Sequence, residues 1–185
     1  MKAQQTSTLL LNEWSAKLAT RGGIALNVRP ASPDDREQVL EFLADVQPED
    51  LRFRFMAAVR PSEALAQTLT MVDHRDAENL LAFDEADGRL AASAMIALEG
   101  GTDVAEVAIV VRSDLKNKGI GWTMLNHACD YARIRGFRRV ECMELSENRA
   151  AVEVEHELGF KSLPCPHDAT LTLLSKDLDQ TGQPS

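Results

Sequence analysis

Apolar positions along the chain change period several times, and each change marks an element. Ile24-Ala25-Leu26-Asn27-Val28-Arg29 alternates as a half-buried strand does. Ser32 stands as an N-cap, with Asp34 and Asp35 in the first turn of a helix whose buried face is Val39, Leu40, Phe42 and Leu43. A second helix is predicted from Pro48, where Arg52 and Arg54 alternate with Phe53 and Phe55, and a third from Ser62 to Met71. From Glu78 the period shortens to that of strands. Asn79 to Phe83 and Arg89 to Leu98 flank Asp84-Glu85-Ala86-Asp87-Gly88, whose Asp-Gly marks a hairpin. Glu99-Gly100-Gly101-Thr102 is a second hairpin loop, leading into a strand over 103–111. Val107 to Val111 is unbroken and β-branched, which suits burial on both faces. Met124, Leu125, Ala128, Cys129 and Ala132 then form one helical stripe between Gly119 and Arg135, closed by Gly136. A strand over Phe137 to Leu145, a helix over Asn148 to Leu158, Gly159-Phe160 and the alternating Thr170 to Leu174 complete an α/β order with a mixed sheet.

At the start, Leu9, Leu10, Leu11, Trp14 and Leu18 predict one face of a short helix, ended by Gly22-Gly23. This divides the chain into an N-terminal helical extension (1–23), a main domain (24–178) and a disordered polar tail (179–185). Composition narrows the class further. The 185 residues suffice for one sizeable core, and 44% hydrophobic with 26% charged is ordinary for a globular protein. A net charge of −9 argues against nucleic acid as partner and suits a cationic substrate. Three cysteines without a Cys-x-x-Cys pair indicate neither a disulfide framework nor a zinc site, and the histidines lack metal-ligand spacing, so no metal is expected. No signal peptide or bilayer-spanning run is evident, which points to the cytoplasm and away from the membrane.

The chemistry gathers between Glu106 and Phe160. Strand, glycine-containing turn and helix follow one another at Lys116-Asn117-Lys118-Gly119-Ile120-Gly121, and a helix start offers unpaired N–H groups to a phosphate. Gly-x-Gly before a helix also serves as a plain turn. There is no Gly-Lys-Ser/Thr for a nucleoside-triphosphate loop and no third glycine for a dinucleotide fingerprint. The order Gly-x-Gly, helix, Arg135-Gly136-Phe137, strand, Glu147-Asn148, helix, Leu158-Gly159-Phe160 resembles the core of the GNAT superfamily of acyl-CoA-dependent N-acyltransferases.

That resemblance implies a mixed, mostly antiparallel central sheet flanked by helices, and acetyl-CoA as cosubstrate. Backbone groups of Ile109, Val110 and Val111 would pair with pantetheine. Lys116, Asn117, Lys118, Gly119, Ile120, Gly121 and Trp122 would enclose the pyrophosphate, with Lys116 where Gln or Arg is usual and Trp122 bulkier than usual. Asn148 would touch the pantetheine arm, or else cap its helix. Glu106 interrupts an apolar run, where an unpaired buried carboxylate is costly. Ala105-Glu106-Val107-Ala108 resembles the segment carrying the catalytic glutamate in bacterial protein lysine acetyltransferases, and Asp50 to Phe55 and Val72 to Glu78 resemble the same branch. Glu106 is therefore the candidate general base, or alternatively the solvent-exposed start of its strand. Where family members often place a Tyr acid, this chain has Glu155, and the acid role stays unassigned. The function implied is acetyl transfer to a primary amine, a protein lysine first. A polyamine or amino sugar, and a non-catalytic acyl-CoA-sensing module, are the alternatives, and assembly as an oligomer is left open.

Overall fold

The computed structural model describes residues 14–98, 101–165 and 168–178. Leu9 to Leu11 of the predicted first helix, Glu99 and Gly100 of the second hairpin loop, and the 179–185 tail lie outside the described residues. One eight-stranded sheet organises the rest: β1 (Ala16–Ala19), β2 (Ala25–Pro30), β3 (Ala77–Asp84), β4 (Leu90–Leu98), β5 (Val104–Val111), β6 (Arg139–Leu145), β7 (Lys161–Pro164) and β8 (Leu171–Asp177). Their spatial order is β1-β2-β3-β4-β5-β6-β8-β7. Every neighbouring pair is antiparallel except β5 and β6. Among the described residues five α-helices accompany the sheet: α1 (Arg36–Ala44), α2 (Pro48–Phe55), α3 (Glu63–Thr70), α4 (Ile120–Ile134) and α5 (Arg149–Glu157). None in the described residues is long and apolar enough to cross a membrane.

The helices make two cores, one on each face, and this explains the unbroken apolar strands. Met124, Leu125, Ala128 and Ala132 of α4 pack with Leu80, Ala94, Val107 and Cys142. On the other face Val39, Phe42, Leu43, Leu51 and Leu69 pack with Leu81, Leu90 and Val110. Adjacent residues such as Leu80 and Leu81 enter opposite cores, as the strand period of two requires.

The predicted N-terminal helix is not what residues 16–19 form. They pair with β2, Ala16 opposite Val28 and Ala19 opposite Ala25. Gly22 and Gly23, rather than ending a helix, turn a hairpin. The Thr20 N–H donates to the Ile24 carbonyl (2.9 Å), and Gly23 takes φ +80°. A free-standing helix of so few residues is marginal in water, whereas the edge of β2 satisfies this backbone directly. Trp14 is buried, its ring edge-on to Tyr131 with centroids 4.6 Å apart. β7 is the other difference. This four-residue edge strand alongside β8 carries too little alternation to be read from sequence.

One polar contact anchors the start of α1. Arg29 grips Asp35 through both carboxylate oxygens (2.5 and 2.7 Å), and the Ser32 N–H donates to the same carboxylate (2.8 Å). Asp35 is only 4% exposed. Arg29→Ala would therefore strand a buried charge and should cost about 3 kcal/mol in urea unfolding. A loss below about 1 kcal/mol would class the contact with ordinary surface pairs.

Candidate active site

β5 and β6 pair over three positions only, Val104–Arg139, Ala105–Val140 and Glu106–Glu141. Beyond them β5 keeps only β4, and β6 keeps only β8. A cavity of ≈ 200 Å³ opens in the gap between the parting strands. The register determines what β5 offers to it. The Arg112 N–H donates to the Ala91 carbonyl (2.8 Å), so alternation turns the N–H and C=O of Val111, Ile109 and Val107 away from β4 and into the gap. Val110 has the opposite phase. Its backbone faces Ser93 on β4, and its side chain lines the cavity and joins the second core.

At the end of β5 a single 3₁₀ turn (Ser113–Leu115) buries Leu115. The chain then passes through Asn117 (φ +60°) and Gly119 (φ +81°) into α4. The Thr123 N–H makes the first bond of that helix, to the Gly119 carbonyl (3.0 Å), which leaves the N–H groups of residues 120–122 outside the ladder. A Cβ on Gly121 would meet nothing nearer than Val111 Cγ2 at 4.0 Å, so packing does not demand glycine there. The Trp122 indole Nε1 is buried without a hydrogen-bond partner among the described residues, on a residue that lines the cavity. An unpaired donor beside a helix start fits an anionic group such as a pyrophosphate.

Among the residues picked out by sequence, Ile109, Val110, Val111, Lys116, Asn117, Gly119, Ile120, Gly121, Trp122 and Asn148 all line this cavity. Lys118 and Glu106 do not. The Lys116 ammonium is held by Asp50 at 2.6 Å. Asn148 starts α5 without a side-chain cap; its Nδ2 donates instead to Glu144 Oε2 (2.7 Å). The expectation of a buried Glu106 is not met. It is exposed, in a row with Ala97 and Glu141 at the last β5–β6 pair, where exposed Ala97 shows that no helix covers the sheet. Ala108, two residues on along the same face, lines the cavity, so Glu106 precedes the lining part of β5.

The opposite wall carries charge that sequence reasoning did not assign. Burial pushes Glu144 up to about 7, against the Asn148 hydrogen bond and the nearby Arg54 guanidinium. Burial, then the neighbouring Glu144 charge, pushes Glu155 up to about 8, opposed by a hydrogen bond with Cys142. Arg54, half-buried on α2, is drawn down to about 10 by burial, with Glu144 and Glu106 opposing. The signal for Glu144 was its phase: Val140, Cys142 and Glu144 share one side of β6, so a carboxylate sits on the buried side.

Residues 40–160 match the acetyltransferase (GNAT) family. The chain belongs to the GNAT acetyltransferase family. It is an acyl-CoA-dependent N-acetyltransferase, and acetyl-CoA is the cosubstrate of that family. Acetyltransferase PA5475 of Pseudomonas aeruginosa is 28% identical over 149 residues, covering 77% of this chain and 78% of that protein. Acetyltransferase Pat of Mycolicibacterium smegmatis is 30% identical over 140 residues, 75% of this chain but 42% of that protein. The chain thus spans less than half the length of that relative. The crystal structure of the GNAT domain of S. lividans PAT superposes with a TM-score of 0.82 at 27% identity, covering 90% of this chain and 98% of that one.

The helix start yields a direct test. Gly121→Glu should abolish acetyl-CoA binding in calorimetry, because it places a carboxylate among the free N–H groups, whereas Gly121→Ala should weaken it by less than about tenfold. A folded Glu variant with wild-type affinity would remove the phosphate assignment.

Proposed function

We propose that this GNAT acetyltransferase moves the acetyl group of acetyl-CoA to a primary amine, a lysine on a protein surface, by direct attack with Glu106 as general base. The observation that carries the reading is the open β5 edge running into the glycine-started helix, with Glu106 two residues before the cavity-lining Ala108 on the same face of that strand. Ile109 and Val111 would hold the pantetheine arm as an added strand, and the amides of residues 120–122 with the Trp122 indole would hold the pyrophosphate. Lys116, neutralised by Asp50, positions the loop more than it binds phosphate.

Acceptor choice follows from where the base sits. An amine that meets the exposed Glu106 does not need to be small enough to enter an enclosed pocket, which favours a lysine displayed on another protein. The net charge of −9 favours a cationic partner. The segments Asp50 to Phe55 and Val72 to Glu78 add the likeness to protein lysine acetyltransferases. Glu106 would take the proton as the amine attacks, and Arg54, close enough to interact with it, would hold the carboxylate on the cavity side.

Glu106→Gln keeps the size and removes the proton acceptor. Acetyl-CoA affinity should persist, while kcat for a lysine peptide falls by roughly 10²–10⁴-fold. Wild-type turnover in this variant would return Glu106 to a structural role and pass the base to Glu144, the carboxylate inside the cavity.

A further inference from the structure

Arg54, in the last turn of α2, lines the cavity half-buried, and its guanidinium has no hydrogen-bond or ion-pair partner among the described residues. It lies over the Phe55 ring instead, 4.8 Å from the centroid. Arg52, two residues earlier, shows the ordinary arrangement, paired with Glu147 at 2.7 Å. Burial draws Arg54 down to about 10, and the more distant charges of Glu144 and Glu106 oppose that without cancelling it. Glu144 Oε2 accepts from Asn148 (2.7 Å) rather than from Arg54. A cation held in a cavity without a partner is costly unless an anion meets it there.

The place of Arg54 along the cavity determines which part of a ligand it meets. α2 runs from Asp50, tied to Lys116 in the loop before α4, to Arg54 one turn later, close enough to Glu106 and Glu144 to feel both charges. Those two residues flank the point where β5 and β6 part, just after the Glu106–Glu141 pair. With pyrophosphate at residues 120–122, pantetheine follows β5 from Val111 towards Val107. The thioester and its acyl group therefore arrive beside Arg54. An acetyl group ends there in a methyl, which takes water from the guanidinium and gives it nothing in return.

We propose that the enzyme has a second activity, transfer of a short acyl chain that ends in a carboxylate, and that Arg54 selects this donor by pairing with the chain's far end. The proposal rests on the amine-acylation reading above. In the step, the amine nitrogen bonds to the thioester carbonyl carbon, and the carbon–sulfur bond breaks with its electron pair on sulfur. The surplus ammonium proton goes to Glu106 and coenzyme A leaves as the thiolate. The distal carboxylate takes no part and stays paired with Arg54. The product is an amide bearing a negative charge where the amine bore a positive one. The opposite wall is compatible with an anion. Burial pushes Glu144 up to about 7, and burial with the Glu144 charge pushes Glu155 up to about 8. Glu155, whose Oε2 is buried with no hydrogen-bond partner among the described residues, thus keeps its proton at neutral pH. A protonated carboxyl donates to a carboxylate instead of repelling it.

The test uses the full chain, a peptide with a single lysine and three donors, with the enzyme-free rate subtracted. The donors are acetyl-CoA, succinyl-CoA and butyryl-CoA, the last matching succinyl-CoA in chain length without its charge. Wild type should favour succinyl-CoA over butyryl-CoA by roughly 10–100-fold in kcat/KM. Arg54→Met removes the charge and should bring that ratio to one or below. The ratio is insensitive to any effect of Arg54 on Glu106, because both donors share that base. Independently of turnover, calorimetry should show Arg54→Met weakening succinyl-CoA by roughly tenfold or more, and butyryl-CoA far less. A wild type that takes succinyl-CoA no better than butyryl-CoA overturns the proposal while acetyl transfer stands. So does an Arg54→Met variant that loses both donors equally, which would assign Arg54 to the common reaction centre. A wild type that releases no coenzyme A from any donor fails the amine-acylation reading itself, and the second activity falls with it.

Discussion

Three residue pairs hold β5 and β6 together, and the site exists because the pairing stops there. A parallel pair continued to Val111 would have satisfied the outward backbone groups of Ile109 and Val111 and closed the gap. Strand backbone left unpaired inside a protein is costly, so a chain that keeps it open retains a template for an extended ligand. The two walls also acquire different characters. β5 contributes backbone donors and acceptors between apolar side chains, while β6 and α5 contribute carboxyl groups with little water around them.

Side-chain ties hold the gap's shape. Arg52 of α2 reaches Glu147 beyond β6 at 2.7 Å, so α2 bridges the mouth. At the other end, Asp50 receives both the Ser113 hydroxyl (3.1 Å) and the Lys116 ammonium (2.6 Å), and Ser113 accepts the Gln47 N–H (2.8 Å). The N-terminal hairpin braces the same loop. A Cβ on Gly22 would lie 2.6 Å from the Lys118 carbonyl oxygen, and the Arg21 guanidinium stacks 4.0 Å from the Trp122 ring centroid. The loop before α4 is thus pinned from both sides, which holds the helix start in place with little dependence on the charge of Lys116.

Much of this was legible in sequence, for reasons that can be named. Strands buried on both faces betray themselves by unbroken β-branched runs, as at Val107 to Val111, and α4 by its stripe and flanking glycines. The glycine turn was legible because φ > 0 at Gly119 is a local requirement. Segments whose structure depends on distant partners were not. Residues 16–19 form a strand only because β2 offers an edge, and β7 only because β8 does. The ionisation of Glu144 and Glu155 depends on burial, which no local pattern displays, while Glu106 interrupts an apolar run and still lies exposed where helical cover ends.

The central claim is that the open half of β5 and the start of α4 are one acetyl-CoA seat, and amide hydrogen exchange tests it most directly. On adding acetyl-CoA, the amides of Ile109, Val111 and residues 120–122 should slow together, while Val110, already facing β4, changes little. Saturating acetyl-CoA that leaves Ile109, Val111 and the first turn of α4 exchanging as before would contradict the account.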